Sequence, residues 1–194
     1  MAKQRLEQEL VGLFAQDLVK AYSIHQISKN LNKAYPHINK TIHSLREQGV
    51  VRWAVVGRAH LCSINLQNPL SRNLLARNAI ERLQTLPSKK KTEAALLREE
   101  LNKLHTPTPI LTALLHKDRI IVILPRLEDA ASTPSKILGK TLQFHTKTSW
   151  QQTLIKQYAE YKHPLLLAGY ENYYTFLSEI IPVLAQRHAT ITWQ

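Results

Sequence analysis

Cysteine is almost missing from this chain: Cys62 stands alone. One thiol excludes an internal disulfide and any zinc site built on several cysteines. Glycine is scarce too, with five in 194 residues. None falls into G-x-G-x-x-G or G-x-x-x-x-G-K-S/T, the loops whose backbone N–H groups cradle phosphates. No G-x-S-x-G elbow and no H-E-x-x-H pair occurs either, which removes two common hydrolytic patterns. No apolar run reaches the ~18–20 residues that span a bilayer. The opening MAKQRLEQELVGLF alternates charged with apolar residues and lacks a signal-peptide core. The expectation is a cytoplasmic protein with no membrane partner. The last shortage is acidic: 14 Asp+Glu face 26 Lys+Arg, a net charge of +12. Such a balance favours polyanions, nucleic acid before an anionic membrane.

What is present is enough for one large or two small globular domains, with an ordinary 44% hydrophobic content. The basic excess is densest early: residues 1–70 carry nine basic and four acidic side chains, 71–105 eight and four, 106–194 nine and six. Residues 4–15 form an amphipathic helix with Leu6, Leu10, Leu13 and Phe14 as its stripe. Residues 16–22 connect, and Ala21-Tyr22 offers a short strand. Ser23 suits the N-cap of a helix over 24–30, because its hydroxyl accepts an otherwise unpaired N–H. Ile24, Ile27 and Leu31 face inward there; His25, Gln26 and Lys29 face out. Asn32 to Tyr35 turn, and Pro36 fits the first turn of a second helix, where its missing N–H costs nothing. Ile38, Ile42 and Leu45, at i, i+4, i+7, share that helix's inner face. Gly49 closes it as a C′ glycine. Then the period changes to that of strands: 50–56 is one strand, Gly57-Arg58 a turn, 60–66 a second. Cys62 is expected to pack there as a small buried hydrophobe.

Helix, turn, helix and basic-tipped hairpin are the order of a winged helix-turn-helix. The segments SIHQISKNL, YPHINKTIHSLREQGVV and VVGRAHLCSINLQNP resemble the winged-helix transcription regulators of bacteria and archaea, over about the first seventy residues. The resemblance implies double-stranded DNA as partner. In that docking mode the second helix enters the major groove by its early positions. Pro36, His37, Asn39, Lys40, His43 and Ser44 remain outside its core face. Asn39 is the best base reader, since an amide donates to and accepts from adenine. His37, Lys40 and His43 suit guanine or phosphate. In the hairpin Arg52, Arg58 and His60 lie nearest the turn, with Arg58 placed for the negative minor groove. Trp53 reads as a packing residue rather than a base-stacking platform. His37 and His43, six apart without carboxylate or thiol company, do not make a metal site.

Residues 1–69 thus form the first domain, and 70–92 a linker of helix and basic loop. In the linker helix Leu70, Leu74, Ile80 and Leu83 are apolar while Arg72, Arg77 and Arg82 face out. It either pairs with its counterpart in a homodimer or packs on its own chain. Lys89-Lys90-Lys91 is a loop that either touches phosphate or is simply solvated. Residues 93–194 form a small α/β domain, making the fold class α+β. A helix opens at Thr92-Glu93 with Leu96, Leu97, Leu101 and Leu104 as its stripe. Strands follow at 110–115, 119–125 and 142–146. A helical turn is expected at Pro134–Leu138, and a helix over 150–161 capped by Ser149. The last helix starts at Glu171 and is kinked or broken at Pro182, and a last strand lies at 190–193. The tyrosines at 158, 161, 170, 173 and 174 read as half-buried packing residues with wet hydroxyls.

The helix–strand–strand order after 93 and the ending LLLAGYENYYTFL resemble the minimal nucleotidyltransferase domains that follow winged helices in archaeal proteins. Such domains imply a Gly-Ser loop for triphosphate and an Asp-x-Asp pair for metal. Here Leu114-Leu115-His116-Lys117 and Arg119-Ile120-Ile121-Val122-Ile123 stand at those places. Asp118 alone does not hold two metals. The expectation is therefore a non-enzyme: no catalytic residue, no cofactor, no metal, and a C-terminal domain for dimerisation or sensing. The protein would be a transcriptional regulator on the nucleoid. The alternatives are an architectural, chromatin-like DNA binder, a nucleotidyltransferase with an atypical site, and an RNA binder.

Overall fold

A computed structural model describes residues 2–57 and 59–188. The protein is a mixed α+β molecule that divides into two compact units, one made of 1–78 with 178–194, the other of 79–177. The divide falls inside the helix Pro69–Gln84. A helix read by its own periodicity does not say which half packs with which core.

In the first unit the order is α1 (Ala2–Ala15), β1 (Tyr22–Ser23), α2 (Ile24–Leu31), α3 (Tyr35–Glu47), β2 (Val51–Val56), β3 (Ala59–Ile64) and the start of α4 (Pro69–Gln84). The three strands form an antiparallel sheet in the order β1-β3-β2. Leu10 and Phe14 of α1, Ile27 of α2, Ile38, Ile42 and Leu45 of α3, and Cys62 of β3 are buried together with Leu66 and Leu75. Burying this set is the main stabilising term, about 1.5–3 kcal/mol for each large side chain. On α4 the buried line is Ser71, Leu75, Ala79 and Leu83, whereas Leu70 and Ile80 are exposed. Arg72, expected outward, turns back to donate to the carbonyls of Leu66 and Gln67 at 2.9 and 3.2 Å.

The second unit carries the end of α4, then α5 (Ser88–Asn102), β4 (Thr112–His116), β5 (Arg119–Leu124), β6 (Lys136–Ile137), β7 (Lys140–Thr146), α6 (Lys147–Tyr161), β8 (Leu165–Ala168) and the start of α7 (Tyr170–His188). Its sheet runs β6-β7-β5-β4-β8, antiparallel except for β5 against β7. Strand β5 is buried on both faces. Ile120, Val122 and Leu124 meet Ala94, Leu97 and Leu101 of α5, while Ile121 and Ile123 are equally buried and α6 also packs on β5.

Several local expectations change here. Lys89-Lys90-Lys91 is not a loop but the first turn of α5, which starts at Ser88. Leu96 is exposed, and Ala94 takes its place in the buried line. The helical turn lies at Leu127–Ala130, a 3-10 turn, and residues 136–137 are a strand. Thr146 rather than Ser149 caps α6: its hydroxyl accepts the Ser149 N–H at 3.2 Å. Helix α7 continues through Pro182. Pro182 has no N–H for the carbonyl of Ser178, and the Gln67 amide donates to that carbonyl at 2.7 Å instead. The strand expected at 190–193 lies outside the described residues.

Candidate nucleic-acid interface

Helix α3 is fixed at both ends by short-range chemistry. Before it, α2 opens with a reciprocal capping box: the Gln26 N–H donates to Ser23 Oγ at 3.1 Å, and the Ser23 N–H donates to Gln26 Oε1 at 2.8 Å. Asn32 ends α2 in the left-handed region at φ 50°, a conformation that asparagine tolerates. Pro36 lies in the first turn of α3. At the other end Gly49, at φ 72°, forms a Schellman turn. Its N–H reaches the Arg46 carbonyl and the Val50 N–H reaches the Leu45 carbonyl, both at 2.8 Å. The carbonyls of Gln48, Gly49 and Val50 are met by side chains from the segment leading into α4. Asn68 donates to Gln48 at 2.8 Å, Asn65 to Gly49 at 2.8 Å, and Ser71 to Val50 at 3.2 Å. That collar aims α3 relative to the hairpin.

With Ile38, Thr41, Ile42 and Leu45 inward, Pro36, His37, Lys40 and His43 are exposed, and Asn39 and Ser44 are half-buried. The uncovered face has two flanks. Toward α1 lies a groove of about 1030 Å³ lined by Arg5, Glu9, Lys33, His37, Lys40 and Ser44 among others. Glu9 holds Arg5 at 3.4 Å and Lys33 at 3.2 Å across it. Toward the hairpin, His43 meets the edge of Trp53, with ring centroids 4.8 Å apart. His60 stacks on Trp53 at 4.6 Å, and the Arg46 guanidinium lies 4.1 Å from the ring centroid.

The structure therefore brings His37, Asn39, Lys40 and His43 onto one helix, with His60 alongside. Arg52 does not join them. It pairs with Ser63, whereas Trp53 pairs with Cys62, so Arg52 projects from the opposite face of the sheet. Arg58 lies outside the described residues. Three cations of this surface are not picked out by periodicity: Arg46, three positions after His43, Lys33, in the turn before α3, and Arg5 on α1. The signal for Arg46 is the pairing of an i, i+3 His/Arg edge with a tryptophan on the following strand.

Cys62 is fully buried, and that burial pushes its thiol up to about 11, so it is a packing residue and not a nucleophile. In the 79–177 unit Asp118 sits at the exposed β4–β5 turn. Lys140 is shared between it, at 3.3 Å, and Glu93, at 3.2 Å. Asp129 is buried, accepts from the Thr108 hydroxyl and pairs with the exposed Arg126 at 3.5 Å. Tyr158, Tyr161, Tyr173 and Tyr174 are buried rather than half-wet, and burial raises the phenols of Tyr173 and Tyr174 well above their usual value. Among the described residues, no three or more His, Cys, Asp or Glu side chains cluster as metal ligands would. No described helix is long and apolar enough to cross a membrane.

Searches against protein families, curated proteins and solved structures find no match to this chain.

Proposed function

We propose that the first unit is a winged-helix module that binds double-stranded DNA, with α3 in the major groove and the β2–β3 hairpin along the backbone. One observation carries this reading. His37, Asn39, Lys40 and His43 project from a single uncovered helix face, beside a hairpin, in a chain of net charge +12. Asn39 reads adenine and Lys40 guanine or phosphate, while Arg58 at the hairpin turn holds the backbone. The α1 flank adds Arg5 and Lys33 as phosphate contacts. The biological role is regulation of transcription in the cytoplasm. The 79–177 unit serves dimerisation or sensing, so that a homodimer meets two half-sites about 34–36 Å apart.

Duplex binding measured by gel shift and fluorescence anisotropy tests the reading. Lys40→Ala with Arg58→Ala is expected to weaken binding by about tenfold or more, and wild-type affinity to fall steeply between about 50 and 200 mM salt. Affinity that stays flat across the salt series overturns DNA binding through phosphate neutralisation. Competition with unrelated duplex separates regulator from architectural protein, since a specificity ratio near one assigns the second role. Thermal stabilisation by nucleotide with magnesium would reverse the non-catalytic assignment of the second unit.

A further inference from the structure

The hairpin and α3 meet at a side chain that the DNA reading leaves unused. Trp53 lies at the third position of β2, half-buried, on the sheet face opposite Arg52. Three polar neighbours engage its ring. His60, diagonal to it across the strand pair, stacks at 4.6 Å with 13° between the planes. His43 from α3 meets it edge-on at 4.8 Å and 88°. Arg46, also from α3, lies 4.1 Å from its centroid. A cation over an indole face and an aromatic pair are directional contacts beyond simple burial. The hairpin needs them: past Trp53, Val55 and Val56 are exposed, with 64% and 43% of their surface in solvent, and a two-stranded ribbon alone is marginal in water.

We propose that Trp53 is the positioning residue that locks the hairpin to α3, with Arg46 as its stacking partner, so that both arms meet a duplex as one preorganised surface. This rests on the DNA reading above for its consequence, but the lock itself belongs to the unliganded chain. Arg46 and Trp53 touch no base in this scheme. They remove the ordering cost that a loose hairpin would add to each binding event. His43 and His60 orient the indole as well as facing the groove.

Two measurements on the full chain test it: amide hydrogen exchange across 51–56 and 59–64, and duplex affinity over a salt series. Trp53→Ala is expected to speed hairpin exchange about tenfold or more and to weaken duplex binding by about tenfold, with the salt slope unchanged because no phosphate contact is lost. Trp53→Phe restores most of both. Arg46→Lys keeps the charge and loses the planar stack, so it falls between wild type and Trp53→Ala. It also carries the test if Trp53→Ala does not fold. Unaltered hairpin exchange in Trp53→Ala overturns the lock. Loosened exchange with unaltered affinity overturns its role in binding, and Arg46→Lys behaving as wild type in both assays removes Arg46 from it. A wild type that binds no duplex, while exchange still loosens in Trp53→Ala, strikes the DNA reading and leaves the lock standing.

Discussion

The two units treat their polar side chains in opposite ways. In the first, the helix caps are satisfied internally, and the imidazoles and amines of α3 are left at the surface. In the second, polar side chains bond to carbonyls around the sheet. Thr112 donates to the Ala168 carbonyl at 2.8 Å, Asn172 to the Leu111 carbonyl at 2.7 Å, and Tyr170 to the Leu167 carbonyl at 3.2 Å. A group already satisfied within the fold contributes to folding and is poorly placed to receive a partner. A polar row left uncovered on a rigid element is available to one. Under the proposed reading, recognition falls to the first unit and architecture to the second.

Two glycines break that contrast open, and they give the largest expected effects. Gly169 joins β8 to α7 at φ 64°. A Cβ there would stand 2.0 Å from the Leu111 carbonyl oxygen and 2.6 Å from Thr112 Cα. Both are backbone atoms of the adjoining strand, so nothing yields cheaply. Gly169→Ala is expected to cost more than about 4 kcal/mol and to abolish cooperative unfolding of the second unit in calorimetry. At Gly49, φ 72°, the nearest atom is the Asn68 side-chain nitrogen at 2.7 Å. That amide can swing aside, at the expense of its bond to Gln48. Gly49→Ala should cost about 1–3 kcal/mol, read as a shifted urea midpoint. An equal or reversed order would mean that the second unit is not the more tightly built of the two.

A third prediction concerns acid. His145 is half-buried in the second unit, its Nδ1 3.2 Å from Ser149 Oγ and its ring 5.5 Å from that of Trp150. Burial lowers its proton affinity below the usual imidazole value. His116 is lowered as well, first by burial and then by Lys117, with Glu160 opposing. For a histidine kept neutral in the fold, the unfolded chain binds the proton first. Stability is therefore fully present above about pH 6.5 and is lost progressively as pH falls below it. The melting temperature should drop from about pH 7 to 5, and the drop should be shallower in His145→Phe. An identical pH profile for the variant would remove His145 from the acid response.

The features that could be read from sequence were those written in neighbouring residues. Ser23, Pro36, the Ile38–Ile42–Leu45 line and the Gly49 stop each act within a few positions, so the α2–α3 pair and the outward row on α3 were legible, though the reply of Gln26 to Ser23 was not. What was not legible depends on residues far away in sequence. The three lysines at 89–91 look like a solvated loop because nothing local favours cations at a helix N-terminus. The helix nevertheless begins at Ser88, with Ala94 and Leu97 anchored in the second core. The tyrosines look amphipathic, and only the folded sheet shows that Tyr173 and Tyr174 are enclosed. Arg52 and His60 both look basic and near the turn, yet strand register sends them to opposite faces. Trp53 was legible as a packing residue; that it joins Arg46 and His43 of α3 was not, because the contact crosses from helix to hairpin.

The smallest expected effect is read by a probe that the chain already carries. Cys62 is the sole thiol of the chain and lies on the central strand of the first unit's sheet, paired with Tyr22 on one side and Trp53 on the other. With no exposed surface and its thiol pushed up to about 11 by burial, it offers little thiolate to a disulfide reagent near pH 8. Native labelling should then be slow and limited by opening of that sheet. Because the probe belongs to one unit, it separates the two glycine variants. Gly49→Ala should speed labelling by roughly 5–150-fold, the factor that its cost of about 1–3 kcal/mol produces. Gly169→Ala, for all its larger cost, should leave the rate near that of wild type if the first unit opens on its own. Acceleration in both variants would mean that the units unfold as one, and the division of labour between them would then be chemical but not thermodynamic.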